Sequence, residues 1–162
     1  MKRYSFAAGL ALAVVAILGV AGPVVAGEQV PFKGRLEGNV TVTPLAPPFV
    51  AVYVEATGNA THLGQFTLDI PHIVNRANRT AIGSYEFTAA NGDTVYAEFT
   101  GLATPTVIDG VFYLHIVETA TIKGGSGRFA GATGAFICER LYNPLAGTTT
   151  GSFEGTISSP GS

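Results

Sequence analysis

The chain has 162 residues, of which 12% are charged, and its formal net charge at neutral pH is −2. This balance, with no basic patch, argues against nucleic acid as a partner. The single cysteine, Cys138, excludes an internal disulfide, so a hydrophobic core has to stabilise the fold.

The first 26 residues are predicted to be an export signal. Two basic residues precede an apolar run from Phe6 to Val20, and small residues that suit a signal peptidase end at Ala26. A retained membrane anchor is the alternative, because the run is nearly long enough to span a bilayer. The sequence therefore predicts a signal peptide over residues 1–26 and one domain over residues 27–162, in a secreted or periplasmic protein.

The remaining residues alternate between apolar and polar with a period of two, which is typical of half-buried strands. In the first strand the even-numbered residues from Phe32 to Val42 form the apolar face. Strands are predicted over residues 32–42, 49–55, 64–70, 111–123, 136–142 and 149–157, with a hairpin over residues 82–102. Asn91-Gly92 fits a tight hairpin turn because both residues tolerate positive φ. The polar stretch 71–79 is predicted to be a loop.

These elements add up to eight strands, give or take one, without a second domain or a repeat array. Eight antiparallel strands with one apolar face can close on themselves, which removes the exposed edges of an open sheet. The predicted fold class is therefore all-β, as a single antiparallel eight-stranded barrel. A β-sandwich is the alternative architecture.

The most distinctive local feature is the glycine-rich segment of residues 124–134. Its glycines permit a tight chain reversal and close backbone approach; they are Gly124, Gly125, Gly127, Gly131 and Gly134. Phe129 is predicted to plug one end of the barrel. The segment nominally fits a dinucleotide-binding fingerprint, but no βαβ unit accompanies it, so a structural turn is the preferred interpretation.

This turn resembles the one found in the barrel family of allene oxide cyclases and, more distantly, dirigent proteins. The resemblance covers residues 101–141 and includes apolar residues of the preceding strand, Phe112, Leu114, Ile116 and Ile122. The chain is also similar to bacterial exported proteins that carry a Thr61-His62-Leu63-Gly64 segment and an Asn91-Gly92-Asp93 turn, which bring no established activity. The resemblance implies an eight-stranded, calycin-like barrel, often trimeric, whose lumen binds an apolar substrate and steers a cyclisation or coupling. It assigns no catalytic residue.

A ligand site in the lumen needs a few polar groups within apolar surroundings. The candidate ligand-binding residues are Tyr53, Glu55, His62, Tyr113 and Arg140. Glu55 and His62 bracket a predicted bend and are a candidate acid/base pair, whereas a backbone hydrogen bond from His62 is the structural alternative.

Neither a metal site nor a cofactor is predicted. The three histidines, His62, His72 and His115, lack the spacing of metal ligands. Cys138 is expected to be a small core residue rather than a reactive thiol.

The leading functional hypothesis is a secreted barrel that binds a small apolar ligand. One alternative is an isomerase or cyclase of the allene oxide cyclase type. Another is a non-enzymatic extracellular structural or interaction module. Whichever function applies, the resemblance implies a homo-oligomer, namely a trimer. An outer-membrane barrel is a further alternative, against which the absence of tryptophan and the polar tail of residues 158–162 both argue.

Overall fold

The computed structural model describes residues 27–161, so the predicted export signal lies outside the described residues. The eight strands are β1 (Gln29–Pro44), β2 (Phe49–Ala60), β3 (Gly64–Asn75), β4 (Thr80–Ala89), β5 (Thr94–Ile108), β6 (Val111–Gly125), β7 (Gly134–Asn143) and β8 (Thr148–Ser158). One turn of 3-10 helix, Gly127–Phe129, lies between β6 and β7. In this part of the chain no helix has the length and apolar character needed to cross a membrane.

Each strand pairs antiparallel with the next one along the chain, and β8 pairs with β1 to close the barrel. Closure gives every strand two hydrogen-bonded neighbours and removes the open sheet edges from the body of the barrel. The predicted all-β fold with one closed eight-stranded antiparallel barrel is confirmed, and the β-sandwich alternative is wrong.

The alternation of side chains places one face of each strand inside the barrel. In β1 the predicted inner face is observed, with Phe32 and Leu36 buried. The centre of the core consists of phenylalanine rings that pack edge-on or tilted, with centroids 5.0 to 6.2 Å apart. These rings belong to Phe32, Phe66, Phe87, Phe136 and Phe153.

One end of the barrel, here called the closed end, holds the β2–β3, β4–β5 and β6–β7 loops. Phe129 from the 3-10 turn is 1% exposed there and belongs to the main core, together with Leu63 and Ala132. The glycine-rich segment gives the backbone the conformations that this turn requires. Positive φ is found at Gly124 (150°), Gly127 (57°), Gly131 (71°) and Gly134 (144°). A side chain on Gly125 would meet the carbonyl of Thr94.

The predicted loop over residues 71–79 is wrong, because β3 continues through Pro71 to Asn75 and the turn occupies only residues 76–79. Proline lacks an N–H for the ladder, and the pairing of β3 with β4 is interrupted at Ile70 and Pro71. The His72 side chain provides a hydrogen bond to the interrupted segment, since its Nδ1 lies 2.9 Å from the carbonyl oxygen of Ile70. β3 therefore continues past Pro71.

The hairpin at Asn91-Gly92 has a longer loop than predicted. Residues 90–93 form it, and Gly92 has positive φ (88°) whereas Asn91 does not. The Ala89 N–H donates to the Asp93 carbonyl at 2.8 Å, and Asn91 Oδ1 accepts from the Asp93 N–H at 3.1 Å. The asparagine thus acts through its side chain instead of adopting a left-handed conformation.

The opposite end, here called the open end, holds the β1–β2, β3–β4, β5–β6 and β7–β8 loops. The hairpin of β5 and β6 projects beyond its neighbours there, because β4 pairs with β5 only up to Leu102 and β7 pairs with β6 only from Leu114. A two-residue turn with positive φ at Asp109 (50°) and Gly110 (80°) closes the hairpin. Residues 104–113 are called the β5–β6 arm below.

Candidate functional site

A cavity of about 380 Å³ lies inside the barrel at the open end. Its wall is mainly aliphatic and includes Val40, Val42, Val50, Val52, Val74, Leu114 and Ile116. The volume falls in the range of small-molecule sites. Larger depressions of about 1610 Å³ and 920 Å³ run along the outer wall of the barrel, where they are more open to solvent. The cavity is therefore the better candidate for a ligand site.

A buried polar cluster of Tyr85, Glu118 and Arg140 lies at the deep side of this cavity. Arg140 Nε donates to Glu118 Oε2 at 2.9 Å, and Arg140 Nη2 donates to Glu118 Oε1 at 2.5 Å. The Tyr85 hydroxyl donates to Glu118 Oε2. Glu118 and Arg140 are 0% and 2% exposed. The two charges compensate each other, and among the described residues no buried side-chain nitrogen or oxygen lacks a hydrogen-bond partner.

Strand register brings the ion pair together. Ile116 on β6 pairs with Arg140 on β7, and Glu118 pairs with Cys138. Glu118 and Arg140 are thus diagonal neighbours on the inner face of two adjacent strands, within reach of long side chains.

A glycine on the neighbouring strand makes room for three of the polar side chains on the interior wall. Gly101 pairs with Glu118, and a Cβ on Gly101 would lie 2.8 Å from Glu118 Cγ. Gly151 pairs with Arg140, and a Cβ there would lie 2.7 Å from Arg140 Cγ. Gly83 likewise pairs with His72, and its Cβ would meet His72 Cβ. The three glycines provide the volume that larger polar side chains occupy.

His72 also lines the cavity and is buried. Because a carbonyl oxygen only accepts hydrogen bonds, the contact with Ile70 places the proton on Nδ1. Burial lowers the pKa of His72, and the charge of Arg140 adds to this effect. The imidazole is therefore neutral at neutral pH, and its Nε2 is a hydrogen-bond acceptor.

Three further buried groups near the cavity are also held in one protonation state, namely Tyr85, Cys138 and Arg140. Burial raises the pKa of Tyr85 well above 10, and the Glu118 carboxylate raises it further. Burial raises the pKa of Cys138 to about 12. Burial opposes the charge of Arg140, but Glu118 outweighs it and holds the pKa of Arg140 above its usual range. Arg140 is thus the fixed cation, Tyr85 is a donor and Cys138 is an unreactive thiol in the core.

Of the five predicted ligand-binding residues, the structure places only Arg140 in the cavity. Tyr53 and Glu55 lie on the outer wall, because Val54 and Ala56 take the inner positions of β2. The Tyr53 hydroxyl donates there to Asp69 Oδ1 at 2.8 Å.

The other two predicted residues lie elsewhere. His62 is exposed in the β2–β3 turn at the closed end, with positive φ (66°), and Tyr113 faces away from the cavity on the β5–β6 arm. The structure therefore does not join Glu55 and His62 into an acid/base pair.

Sequence reasoning missed Glu118, Tyr85 and His72 as residues of this region. The sequence does contain an indication that Glu118 points inward, since it is even-numbered like the apolar residues Leu114 and Ile116 on β6. His72 has the parity of Leu68 and Ile70, but the predicted strand stopped before it.

Within residues 27–161 no group of three or more histidine, cysteine, aspartate or glutamate side chains is arranged to hold a metal ion. No protein-family model, curated protein or solved structure matches the chain. The site therefore has to be interpreted from its own geometry.

Proposed function

We propose that the protein binds a small, mainly apolar ligand in the cavity at the open end of the barrel. The observation that carries this proposal is the combination of an aliphatic wall, a volume of about 380 Å³ and one compact polar cluster. Binding sites for small molecules have this composition, in which apolar contacts supply affinity and a few polar groups fix the orientation.

The polar side chains define which ligand fits best. Glu118 accepts from two of the Arg140 nitrogens, so the guanidinium retains N–H groups that it can direct towards a ligand. The ion pair has no net charge, which favours a neutral acceptor such as a carbonyl or hydroxyl oxygen. The neutral His72 can accept one hydrogen bond through Nε2. The expected ligand is thus a hydrocarbon body with one or two oxygen functions.

The test is a matched pair of alanine-to-phenylalanine variants. Ala81 lines the cavity, whereas Ala135 is exposed on the outer wall of β7. Nile red, a neutral apolar dye, is expected to bind the wild type and Ala135→Phe saturably, and Ala81→Phe at least tenfold more weakly. Circular dichroism checks that both variants are folded. Equal binding by the two variants would place the dye elsewhere and refute the proposal.

Native mass spectrometry then identifies the natural ligand. The wild type incubated with a lipid extract is expected to retain one bound species, which Ala81→Phe does not retain. Absence of any bound species from the wild type, together with absence of dye binding, would indicate an empty barrel without this function.

An isomerase or cyclase is the second candidate, and His72 is the observation that favours it. Its Nε2 is an uncharged base in an apolar cavity that also holds a cationic donor, Arg140. The resemblance of the glycine-rich turn to allene oxide cyclases supports the same class. An excess of one enantiomer in the product cyclised from an allene oxide would support catalysis, and its loss in His72→Gln with dye binding retained would assign the base. Racemic product from the wild type would exclude this candidate.

We also propose that residues 1–26 direct export of the barrel. The basic start, the apolar run and the small residues before Gly27 support this. Protein recovered from outside the cytoplasm is expected to begin at Gly27, which N-terminal peptide mass spectrometry measures. An intact Met1 in that fraction would contradict cleavage.

A further inference from the structure

The open end of the barrel carries a set of exposed large apolar side chains, here called the apolar rim. Its members come from three of the four loop regions at this end: Leu45, Val107, Ile108, Val111, Phe112 and Leu145. Leu145 is 95% exposed and Val107 is 65% exposed. Turn tips normally carry polar residues, and a cluster of exposed apolar residues in one region indicates an interaction surface.

These apolar side chains are not part of the hydrophobic core. Ile108 and Val111 flank the two-residue turn of the β5–β6 arm, which projects beyond its neighbouring strands. Phe112 is half-exposed although it also borders the cavity. The rim therefore lies at the same end of the barrel as the mouth of the cavity, and Phe112 borders both.

The fourth loop at the open end contributes positive charge. Arg76 and Arg79 are both exposed in the β3–β4 turn, and both also line the cavity. Within residues 45–48, 76–79, 109–110 and 144–147, which form the four loops, the one acidic residue is Asp109. Many of the acids of this net-negative protein lie on the outer wall, including Glu37, Glu55, Glu86, Glu98, Glu139 and Glu154. The four loops of the open end thus carry two cations and one anion, whereas most of the acids lie elsewhere.

We propose that the open end docks on an anionic phospholipid bilayer. The apolar rim enters the boundary between headgroups and acyl chains, and Arg76 and Arg79 bind the headgroup phosphates. A second copy of the chain is a poorer occupant, since two facing rims would bring four arginines together. Docking turns the mouth of the cavity towards the bilayer, so that an apolar ligand can pass between membrane and barrel without crossing water. The docking itself requires no ligand and extends the proposed function.

Sedimentation with vesicles tests the docking. The protein of residues 27–162 is expected to sediment with vesicles of phosphatidylglycerol and phosphatidylcholine in equal amounts, and far less with phosphatidylcholine alone. Replacing Val107 and Leu145 together by serine should reduce binding about tenfold or more, because two large apolar side chains outside the cavity no longer leave water. The matched control is Ile137→Ser on the outer wall, where Ile137 is 51% exposed. It should bind as the wild type does.

The arginines have a separate test. The double variant Arg76→Gln/Arg79→Gln should lose most of the preference for the anionic vesicles, and added salt should have the same effect on the wild type. Retention of that preference by the double variant would refute the role given to the two arginines.

A fluorescent probe locates the contact, because the chain contains no tryptophan. Leu145→Trp should show a blue shift of its emission with anionic vesicles, whereas Ile137→Trp should show none. Equal emission shifts for Leu145→Trp and Ile137→Trp, or no sedimentation with any vesicle, would overturn the proposal. It would also be overturned if the wild type were a dimer in lipid-free buffer and the double serine variant of the rim were a monomer, since the rim would then join two copies. Nile red binding in solution separates any of these results from failure of the ligand site.

Discussion

The guanidinium of Arg140 and the carboxylate of Glu118 form a two-point ion pair, with N···O distances of 2.5 and 2.9 Å, inside the barrel wall between β6 and β7. Their side chains are 1% and 0% exposed. Removing one partner of such a pair leaves the other charge buried without compensation, which is far more costly than the net value of the pair. A single substitution at either residue is therefore expected to be strongly destabilising.

We expect Glu118→Gln to lower the free energy of unfolding by about 3–5 kcal/mol, because Arg140 is left as an uncompensated buried cation. Urea denaturation followed by circular dichroism measures this. The control replaces both charges, as Glu118→Leu with Arg140→Met, and should be much closer to the wild type or more stable. A single variant that loses less than about 1 kcal/mol would show that the pair is accessible to water, contrary to its burial.

Gly101→Ala tests the space reserved for the ion pair. The added methyl group would lie 2.8 Å from Glu118 Cγ, so the side chain of Glu118 has to shift, at an expected cost of about 1–3 kcal/mol. Because Glu118→Ala removes that Cγ, the cost of Gly101→Ala should fall substantially in the Glu118→Ala background. A double-mutant cycle measures this coupling. Additive effects would mean that the backbone, rather than Glu118, opposes the methyl group.

The lowered pKa of His72 predicts a loss of stability in mild acid. The unfolded chain binds a proton near pH 6.5, whereas the folded protein binds it only at lower pH. The free energy of unfolding therefore falls as the pH decreases below about 6.5 and through the folded pKa. His72→Gln should reduce this slope. His62→Asn, at the exposed turn where asparagine tolerates positive φ, is the control and should retain it.

Cys138 predicts a corresponding loss in alkali. Burial raises its pKa from 9.0 to about 12, so the unfolded chain loses the thiol proton first. Stability is complete below pH 9 and decreases between pH 9 and 12, with Tyr85 contributing in the same direction. Cys138→Ala should flatten part of this decrease. A thiol reagent at neutral pH should react with the wild type only at the rate of unfolding, and rapid reaction of the native protein would contradict the burial of the thiol.

Most of the fold could be predicted from the alternation of apolar and polar residues along the strands. Where apolar residues keep one parity, as from Phe32 to Val42, the inner face is visible in the sequence. The prediction is wrong where polar composition is read as a loop. The stretch 71–79 is the example, because β3 continues through Pro71 to Asn75 and the His72 side chain bonds the Ile70 carbonyl.

The candidate site is less visible in the sequence, because a set of polar residues does not show which strand face points into the lumen. Tyr53 and Glu55 are examples, since their odd-numbered positions on β2 place them outside, whereas Val54 points inward. Glu118 shows the converse, because it has inner parity but is charged, and no partner is apparent until the register brings Arg140 beside it. That register depends on strand pairing, which lies beyond the local pattern.

The pairing of β1 with β8 has a kinetic consequence. Gln29 lies opposite Ser158, so the contact that closes the ring joins the most distant strands of the chain. The entropy of that long loop has to be overcome before the final ladder forms, and topologies of this kind fold slowly. Any folding species that lacks this pairing exposes the hydrogen-bonding edges of β1 and β8, which are then open to aggregation and to holdase chaperones.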